Sequence, residues 1–367
     1  MRFFQTYQRM QTSTTRWGIL GTAQIARKNW LSIRNSGNGV VAAVASRQLA
    51  SAVRFIDECQ AQQPFAHKPR AVGSYAELLA APDIDAVYVP LPTTLRKEWV
   101  IAAAKAGKHV VCEKPCAPTV ADLEEMVAAC REHHVQFMDG VMFMHSRRLE
   151  LVRQAINESV GRLRRLTLAF SFNGSAEFLQ SNIRSNSALE PLGCVGDLAW
   201  YCIRFALWTV DWQMPRAVSG RILTPSQPRP GLAPVPLEFS GELLFTGGIS
   251  AGFYVSFLTE NQQLAQVAGE RGLLRLTDFV LPFFGAEAGF ETLNSKFVTD
   301  GCLFNMEAGG RRWTVPEYSN SHSSAQESNL FRNFAAQIQT GTLNPDWPDF
   351  ALKTQRVMEQ CLAGART

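Results

Sequence analysis

Short runs made almost wholly of apolar residues alternate with helical patterns from residue 17 to residue 138. Residues 17–20 (WGIL), 40–45 (VVAAVA), 85–89 (DAVYV) and His109–Cys112 are strand-length and apolar on both faces. Helical patterns fall between them, from Ala23, over 49–61, 75–79 and 97–106, and over Val120–Glu132, where Leu123, Met126, Val127 and Cys130 share one face. Gly107 ends the fourth of these, and short strands at Arg70–Val72 and 136–138 complete the set. Inner strands of this kind must be covered on both sides by the helices that connect them. Residues 16–146 are therefore expected to form an α/β Rossmann domain, a doubly wound parallel sheet.

After Ser146 the texture changes. Residues 160–172 read as one long strand, 195–207 as a helix, and 217–315 as strand after strand with glycine turns. Helical patterns return over 324–340 and 349–363. Residues 147–367 are expected to be an α+β domain with a large, mostly antiparallel open sheet, with the C-terminal helix packing back on the first domain. Residues 1–15 read as a polar arm, and the Pro-rich 226–236 as a surface loop between strands.

With 46% apolar and 19% charged residues the chain is globular, and its net charge of +4 is spread along its length. The densest basic spot, Arg162, Arg164 and Arg165, alternates with apolar residues like one face of a strand, so no nucleic-acid partner is expected. No apolar run reaches the length of a membrane span, and the N-terminus has no signal-peptide core; a cytoplasmic location is expected. The eight cysteines are scattered through apolar runs without C-x-x-C spacing, as buried free thiols would be. The six histidines do not cluster with Cys or carboxylates, so no metal is expected.

GTAQIA, residues 21–26, lies where the first strand meets the first helix. It is the G-x-G-x-x-G phosphate turn with alanine at the second and third glycine positions. Gly21 permits the tight turn, Ala23 leaves room for a pyrophosphate, and Ala26 permits close helix–strand packing. Thr22, Gln24 and Ile25 belong to the same turn and helix N-terminus, whose free N–H groups and dipole suit phosphate. At the end of the second strand, where an NAD site offers an acid to the ribose, the chain has Ser46 and Arg47. A hydroxyl and a guanidinium suit a 2′-phosphate, so NADP is expected, with NAD second. Leu91, Pro92 and Thr93 form the next loop at the cofactor edge, and Glu113 is structural or cofactor-side.

The chain resembles the Gfo/Idh/MocA oxidoreductase family, in particular its dihydrodiol and D-xylose dehydrogenase branch. The resemblance is carried by WGILGTAQIARK (17–28), YVPLPTTLRKEW (88–99), AGKHVVCEKP (106–115), VQFMDGVMFMH (135–145), GDLAWYCIR (196–204) and KTQRVM (353–358). It implies that Lys114 of the EKP motif stands beside the nicotinamide, and that Asp197 and Tyr201 face it from a helix of the second domain. At i, i+4 the two share one helical face. Tyr201 would move the hydroxyl proton while a hydride moves to or from the carbon; Lys114 would favour the phenolate, and Asp197 would fix substrate hydroxyls or orient the lysine. Gly193 and Gly196 would let substrate and cofactor approach the backbone.

Departures from the family pattern are Arg96 and Thr93, where relatives commonly have His and Asn, and Ser146 and Arg147, where close relatives tend to have His and Pro. His145 either lines the pocket or satisfies a backbone group, and Arg148 reads as a solvated residue at the domain border. Phe143, Trp200, Phe172, Phe178 and Phe283 are candidates for an apolar wall beside the substrate. By resemblance, Asn182 or Arg184 would reach substrate hydroxyls. The function implied is an NADP-dependent oxidoreductase acting on a sugar, polyol or trans-dihydrodiol secondary alcohol or hemiacetal, working as a homodimer through the C-terminal sheet. A non-catalytic dinucleotide sensor and a sugar–sugar oxidoreductase with tightly held NADP are the alternatives.

Overall fold

The computed structural model describes residues 14–365; of the expected arm, residues 1–13 lie outside the described residues. The first part of the chain runs β1 (Thr15–Leu20), α1 (Gln24–Ser36), β2 (Gly39–Ala45), α2 (Leu49–Gln62), β3 (Arg70–Val72), α3 (Tyr75–Ala80), β4 (Ala86–Val89), α4 (Thr93–Lys105), β5 (His109–Cys112), α5 (Val120–Glu132) and β6 (Phe137–Asp139). The six strands pair in parallel in the order β3-β2-β1-β4-β5-β6. Every residue of β4 is buried, as an inner parallel strand requires. The order reverses between β1 and β4, so the crevice at their carboxyl ends is where a doubly wound sheet takes its ligand.

A 3-10 turn at Met142–His145 leads into α6 (Arg148–Ala155) and a π-wound turn at Ile156–Val160. Then come β7 (Leu163–Asn173), α7 (Ala176–Ser181), a second π-wound turn at Val195–Ala199 and α8 (Trp200–Thr209). The strands β8 (Ala217–Pro225), β9 (Pro236–Leu244), β10 (Ser250–Ser256), β11 (Leu258–Gly269), β12 (Leu273–Leu276), β13 (Glu287–Leu293), β14 (Lys296–Asp300), β15 (Leu303–Glu307) and β16 (Gly310–Pro316) follow, with α9 (Gln326–Gln339) and α10 (Asp346–Gly364) last. Eight strands form one sheet in the order β16-β13-β12-β11-β7-β10-β9-β8, antiparallel at every step except β7–β10; β14 and β15 form a separate hairpin. Helices α6, α8 and α10 pack on this sheet, while the ion pairs Arg275–Glu291 and Arg312–Glu287 lie across strand pairs.

The last two helices return to the first domain. Leu330, Phe331 and Phe334 of α9 join Trp17 and Trp30 in one buried cluster, with Phe331 edge-on to Trp17 at 5.2 Å. Arg332 donates to the carbonyls of Asn35 and Ser36 at the end of α1. The eight cysteines are unpaired, and all are buried except Cys302. Among the described residues no helix is long and apolar enough to cross a membrane, and no grouping of His, Cys, Asp and Glu could hold a metal ion.

Candidate active site

A cleft of about 860 Å³ opens at the carboxyl ends of β1, β4 and β5 and is walled on its other side by the second domain. Its nucleotide half begins at the first turn. Gly21 has φ +106°, a conformation a side chain disfavours, and its N–H donates to the Ala45 carbonyl at 2.8 Å. Helix α1 starts at Ala23 with no side-chain cap and no acid in its first turn. Ala23, Gln24 and Ile25 line the cleft, while Gly21 and Thr22 shape the turn beneath them. An uncapped N-terminus free of carboxylates is what a bound diphosphate needs. At the end of β2, the Ser46 hydroxyl accepts weakly from Gln48 N–H, and Arg47 is exposed without a hydrogen bond or ion pair among the described residues. The residues present therefore fit a phosphorylated dinucleotide.

The loop after β4 differs from expectation. Leu91 lines the cleft, but Pro92 caps α4 and Thr93 is fully buried. Thr93 N–H and Oγ1 donate to the two carboxylate oxygens of Glu190, at 3.0 and 2.5 Å. Thr93 thus clasps the second domain and has no donor left for a ribose or nicotinamide. Arg96 is also resolved: it is buried, with Nε on the Leu91 carbonyl at 2.7 Å and Nη1 on the carbonyls of Glu113 and Pro115. Its charge fastens two loops of the cleft to each other.

The strand end that carries EKP opens into the same cleft. Glu113 is buried and accepts from the Tyr88 hydroxyl at 2.7 Å, and the Lys114–Pro115 peptide is cis. Lys114 Nζ donates to Asp197 Oδ1 at 2.6 Å and to the Asp197 carbonyl at 2.8 Å. Arg184 Nε takes the other oxygen, Oδ2, at 2.8 Å. Burial alone would raise the Asp197 carboxyl, but Arg184 and Lys114 outweigh it and hold it well below the usual carboxylate range.

Tyr201 lines the cleft beside them, with the Lys114 ammonium 4.8 Å from its ring centroid. Among the described residues its hydroxyl has one hydrogen-bond partner, the Met142 sulfur at 3.7 Å. Burial, followed by the charges of Glu113 and Asp197, pushes this phenol well above its ordinary pKa. The expected phenolate is therefore corrected: the ammonium lies over the ring face and is engaged by Asp197, so Tyr201 holds its proton. The expected regular helix is interrupted as well, because Asp197 sits in a π-wound turn; both side chains still reach the same cleft.

The two glycines before this helix are required by the chain's own packing, and Gly193 also lines the cleft. A Cβ at Gly193 (φ +51°) would lie 2.3 Å from the Pro236 carbonyl oxygen, and one at Gly196 would lie 3.0 Å from Pro115 Cγ. The second contact is where the EKP strand end and the helix that bears Tyr201 come together. Asn182 and Arg184 line the substrate half with Phe170, Phe172, Asn261 and Gln263. The Pro-rich loop props that rim, since Arg229 donates to the carbonyls of Leu179, Gln180 and Ser185.

Several expected residues stand elsewhere. Trp200 follows α8 about 100° round from Tyr201, so it points into the core, where its indole N–H donates to Asp139 at 3.1 Å. Phe143 lies in the core behind Tyr201, ring centroids 6.2 Å apart. Phe178 packs against Phe172, and Phe283 is exposed. Arg148 is not solvated: it is 1% exposed and pairs with Asp278 at 2.5 Å. Glu190, Met142, Phe170, Asn261 and Gln263 were not anticipated. For Asn261 and Gln263 a signal existed, polar residues two apart on a strand, hence on one face; nothing marked Glu190.

His145 lines a different cavity, of about 480 Å³, beside Trp347 and the buried Asp139–Arg204 pair. Burial and then Arg204 lower its pKa to about 4, leaving a neutral ring whose Nδ1 faces Asn333 Nδ2 at 3.1 Å. The unfolded chain takes up this proton near pH 6.5. Stability should therefore decline as the pH falls from about 6.5 to about 4. In His145→Gln this part of the stability–pH curve should flatten in denaturant titrations; an unchanged slope would locate the acid sensitivity elsewhere.

A family model described as an oxidoreductase family with an NAD-binding Rossmann fold matches residues 15–141, and the GFO/IDH/MocA C-terminal domain matches residues 149–275. The NADP(+) D-xylose 1-dehydrogenase 2 of Haloferax volcanii is 35% identical over 77% of this chain and 82% of its own. Trans-1,2-dihydrobenzene-1,2-diol dehydrogenase of Mus musculus is 28% identical over 73% of this chain and 76% of its own. For the dTDP-3,4-didehydro-2,6-dideoxy-alpha-D-glucose 3-reductase of Saccharopolyspora spinosa the identity is 36%, over only 52% of this chain and 54% of the relative. Among solved structures, the 3-ketoreductase KijD10 from Actinomadura kijaniata, in complex with NADP and TDP-benzene, superposes with a TM-score of 0.78. It is 24% identical, over 96% of this chain and 98% of that one, a likeness of fold.

Proposed function

The chain belongs to the Gfo/Idh/MocA oxidoreductase family, and on that premise we propose that it is an NADP-dependent dehydrogenase or reductase of a sugar, polyol or trans-dihydrodiol secondary alcohol or hemiacetal. One observation carries the reading. An ammonium from the first domain and a phenol from the second line one cleft, with Asp197 holding the ammonium.

NADP, when bound, supplies the nicotinamide that carries hydride. The α1 N-terminus, from Gly21 to Ile25, would hold its diphosphate, and Ser46 and Arg47 its 2′-phosphate. In the reductive direction Tyr201 donates its hydroxyl proton to the substrate oxygen; in oxidation it takes that proton back. Lys114, fixed by Asp197, has an ammonium hydrogen left for the same oxygen and stabilises the charge that develops there. Phe170 and Phe172 offer an apolar wall, and Asn182, Asn261 and Gln263 offer polar contacts to a ring bearing hydroxyls. A homodimer through the open face of the large sheet belongs to the same proposal and is checked by light scattering.

The test is a panel of aldoses, polyols and trans-dihydrodiols with NADP and with NAD, read at the reduced-nicotinamide absorbance. Turnover of no member would overturn the assignment. Arg47→Ala should weaken NADP binding about ten- to hundredfold, as loss of a charged phosphate contact does, and leave NAD nearly unchanged. Equal effects on both nucleotides would remove Arg47 from the 2′-phosphate site.

A further inference from the structure

We propose that Arg184 sets substrate specificity in this cleft, and that the natural substrate carries a carboxylate close to its reacting alcohol: a sugar acid of the uronate or aldonate type. The inference rests on the dehydrogenase reading above and narrows it.

Arg184 sits in the short turn Ile183–Ser185 after α7, and its place is set before any ligand arrives. The Asn182 side chain accepts its N–H at 3.0 Å. Arg229 holds the carbonyl of Ser185 on one side and those of Leu179 and Gln180 on the other. From this turn the guanidinium pairs with Asp197, Nε lying 2.8 Å from Oδ2. Its two terminal nitrogens make no hydrogen bond among the described residues, the side chain is 42% exposed, and it lines the cleft. A guanidinium with its fork open offers two parallel N–H groups, which match the two oxygens of a carboxylate better than any single hydroxyl.

The neighbouring acids do not fill that fork. Asp197 gives Oδ1 to Lys114 and Oδ2 to Arg184 Nε, so two cations share one carboxylate. Both oxygens of Glu190 are taken up by Thr93. Beside the amides of Asn261 and Gln263, this half of the cleft offers three donors: the guanidinium fork, an ammonium hydrogen of Lys114 and the Tyr201 hydroxyl. Arg184 and Lys114 are bound to opposite oxygens of the same carboxylate. A group held by the fork is therefore only a few atoms from an oxygen held by Lys114, the spacing of an acid and a hydroxyl on one small sugar.

The rival account makes Arg184 a positioning residue that steadies Asp197 and touches no substrate. The two accounts separate in paired substrates that differ only at one carbon. Wild type, Arg184→Gln and Arg184→Lys are assayed as full chains with NADP on D-glucuronate against D-glucose and D-galacturonate against D-galactose. Wild type should favour the acid of each pair in kcat/KM by about ten- to hundredfold, the worth of a charged bidentate contact. Arg184→Gln should collapse that ratio through KM for the acid, and Arg184→Lys should restore part of it. A wild type without preference for the acids, or an Arg184→Gln that lowers both members of each pair in proportion, overturns the proposal.

Calorimetry of glucuronate and glucose on the NADPH-loaded protein separates this test from the reading it rests on. Tighter acid binding that is lost in Arg184→Gln upholds Arg184 even when no panel member is turned over, in which case the dehydrogenase assignment is what fails. Equal binding of acid and neutral sugar, or acid binding unchanged in Arg184→Gln, overturns it.

Discussion

Replacing Lys114 by methionine should lower turnover by about two to four orders of magnitude while NADP binding stays near normal. Methionine keeps the length and apolar stem of lysine and removes only the ammonium. Asp197 does not become an orphan charge, because Arg184 remains on its other oxygen, so the fold should tolerate the change. The substrate oxygen loses the cation that stabilises it in the transition state, and the loss should fall on kcat more than on KM. Tyr201→Phe should give a fall of about the same order, since it removes the donated proton while the hydroxyl's one hydrogen bond among the described residues, to the Met142 sulfur, is a long one. Stopped-flow or steady-state absorbance of the reduced nicotinamide, with a separate nucleotide titration, checks both. Turnover that survives in both variants would eliminate the pair as the proton machinery.

The second large effect concerns stability. Asp139, at the end of β6, pairs with Arg204 of α8 at 2.5 Å, with only 4% and 2% of the two side chains exposed. Asp139 also takes the Trp200 indole N–H, and Arg204 Nε donates to Thr354 of α10. This network ties the first domain to the helix that bears Tyr201 and to the last helix of the chain. Arg204→Met would leave a buried carboxylate without its counter-charge. Stability in urea at neutral pH should fall by about 3–5 kcal/mol. The double change Arg204→Met with Asp139→Leu removes both charges together and should recover much of the loss, because the cost lies in the unpaired charge. A single variant as stable as wild type would mean that water reaches Asp139.

Neither residue of that pair stood out in the sequence. Asp139 and Arg204 lie far apart in the chain, each inside an apolar segment, and no local pattern links them. The same holds for Thr93 and Glu190. Thr93 sits in a loop that normally faces a cofactor, and its capture by Glu190 depends on how the second domain folds over the first. Arg96 looked like a stray charge at the cofactor edge until the carbonyls of Leu91, Glu113 and Pro115 converged on it. Trp200 and Phe143 belonged to the right segments, yet their side chains turn inward. One position along a helix swings a side chain about 100°, and only packing decides which neighbours face the cleft.

Local physics was enough for the rest. Burial of both faces of a parallel strand demands an unbroken apolar run, and the alternation of such runs with helices specified the six-stranded sheet and the ligand crevice at its reversal. The tight turn at Gly21, the uncapped start of α1 and the acid-free end of β2 are each a matter of a few adjacent residues, so they were legible as a dinucleotide site. What the chain alone left open was every relation between distant residues: that Lys114 lies over the face of Tyr201, that Asp197 is shared by two cations, and that burial, followed by the charges of Glu113 and Asp197, raises the phenol's pKa. Those relations depend on desolvation and on charges a few ångströms apart, and such distances exist only once two domains have packed against each other.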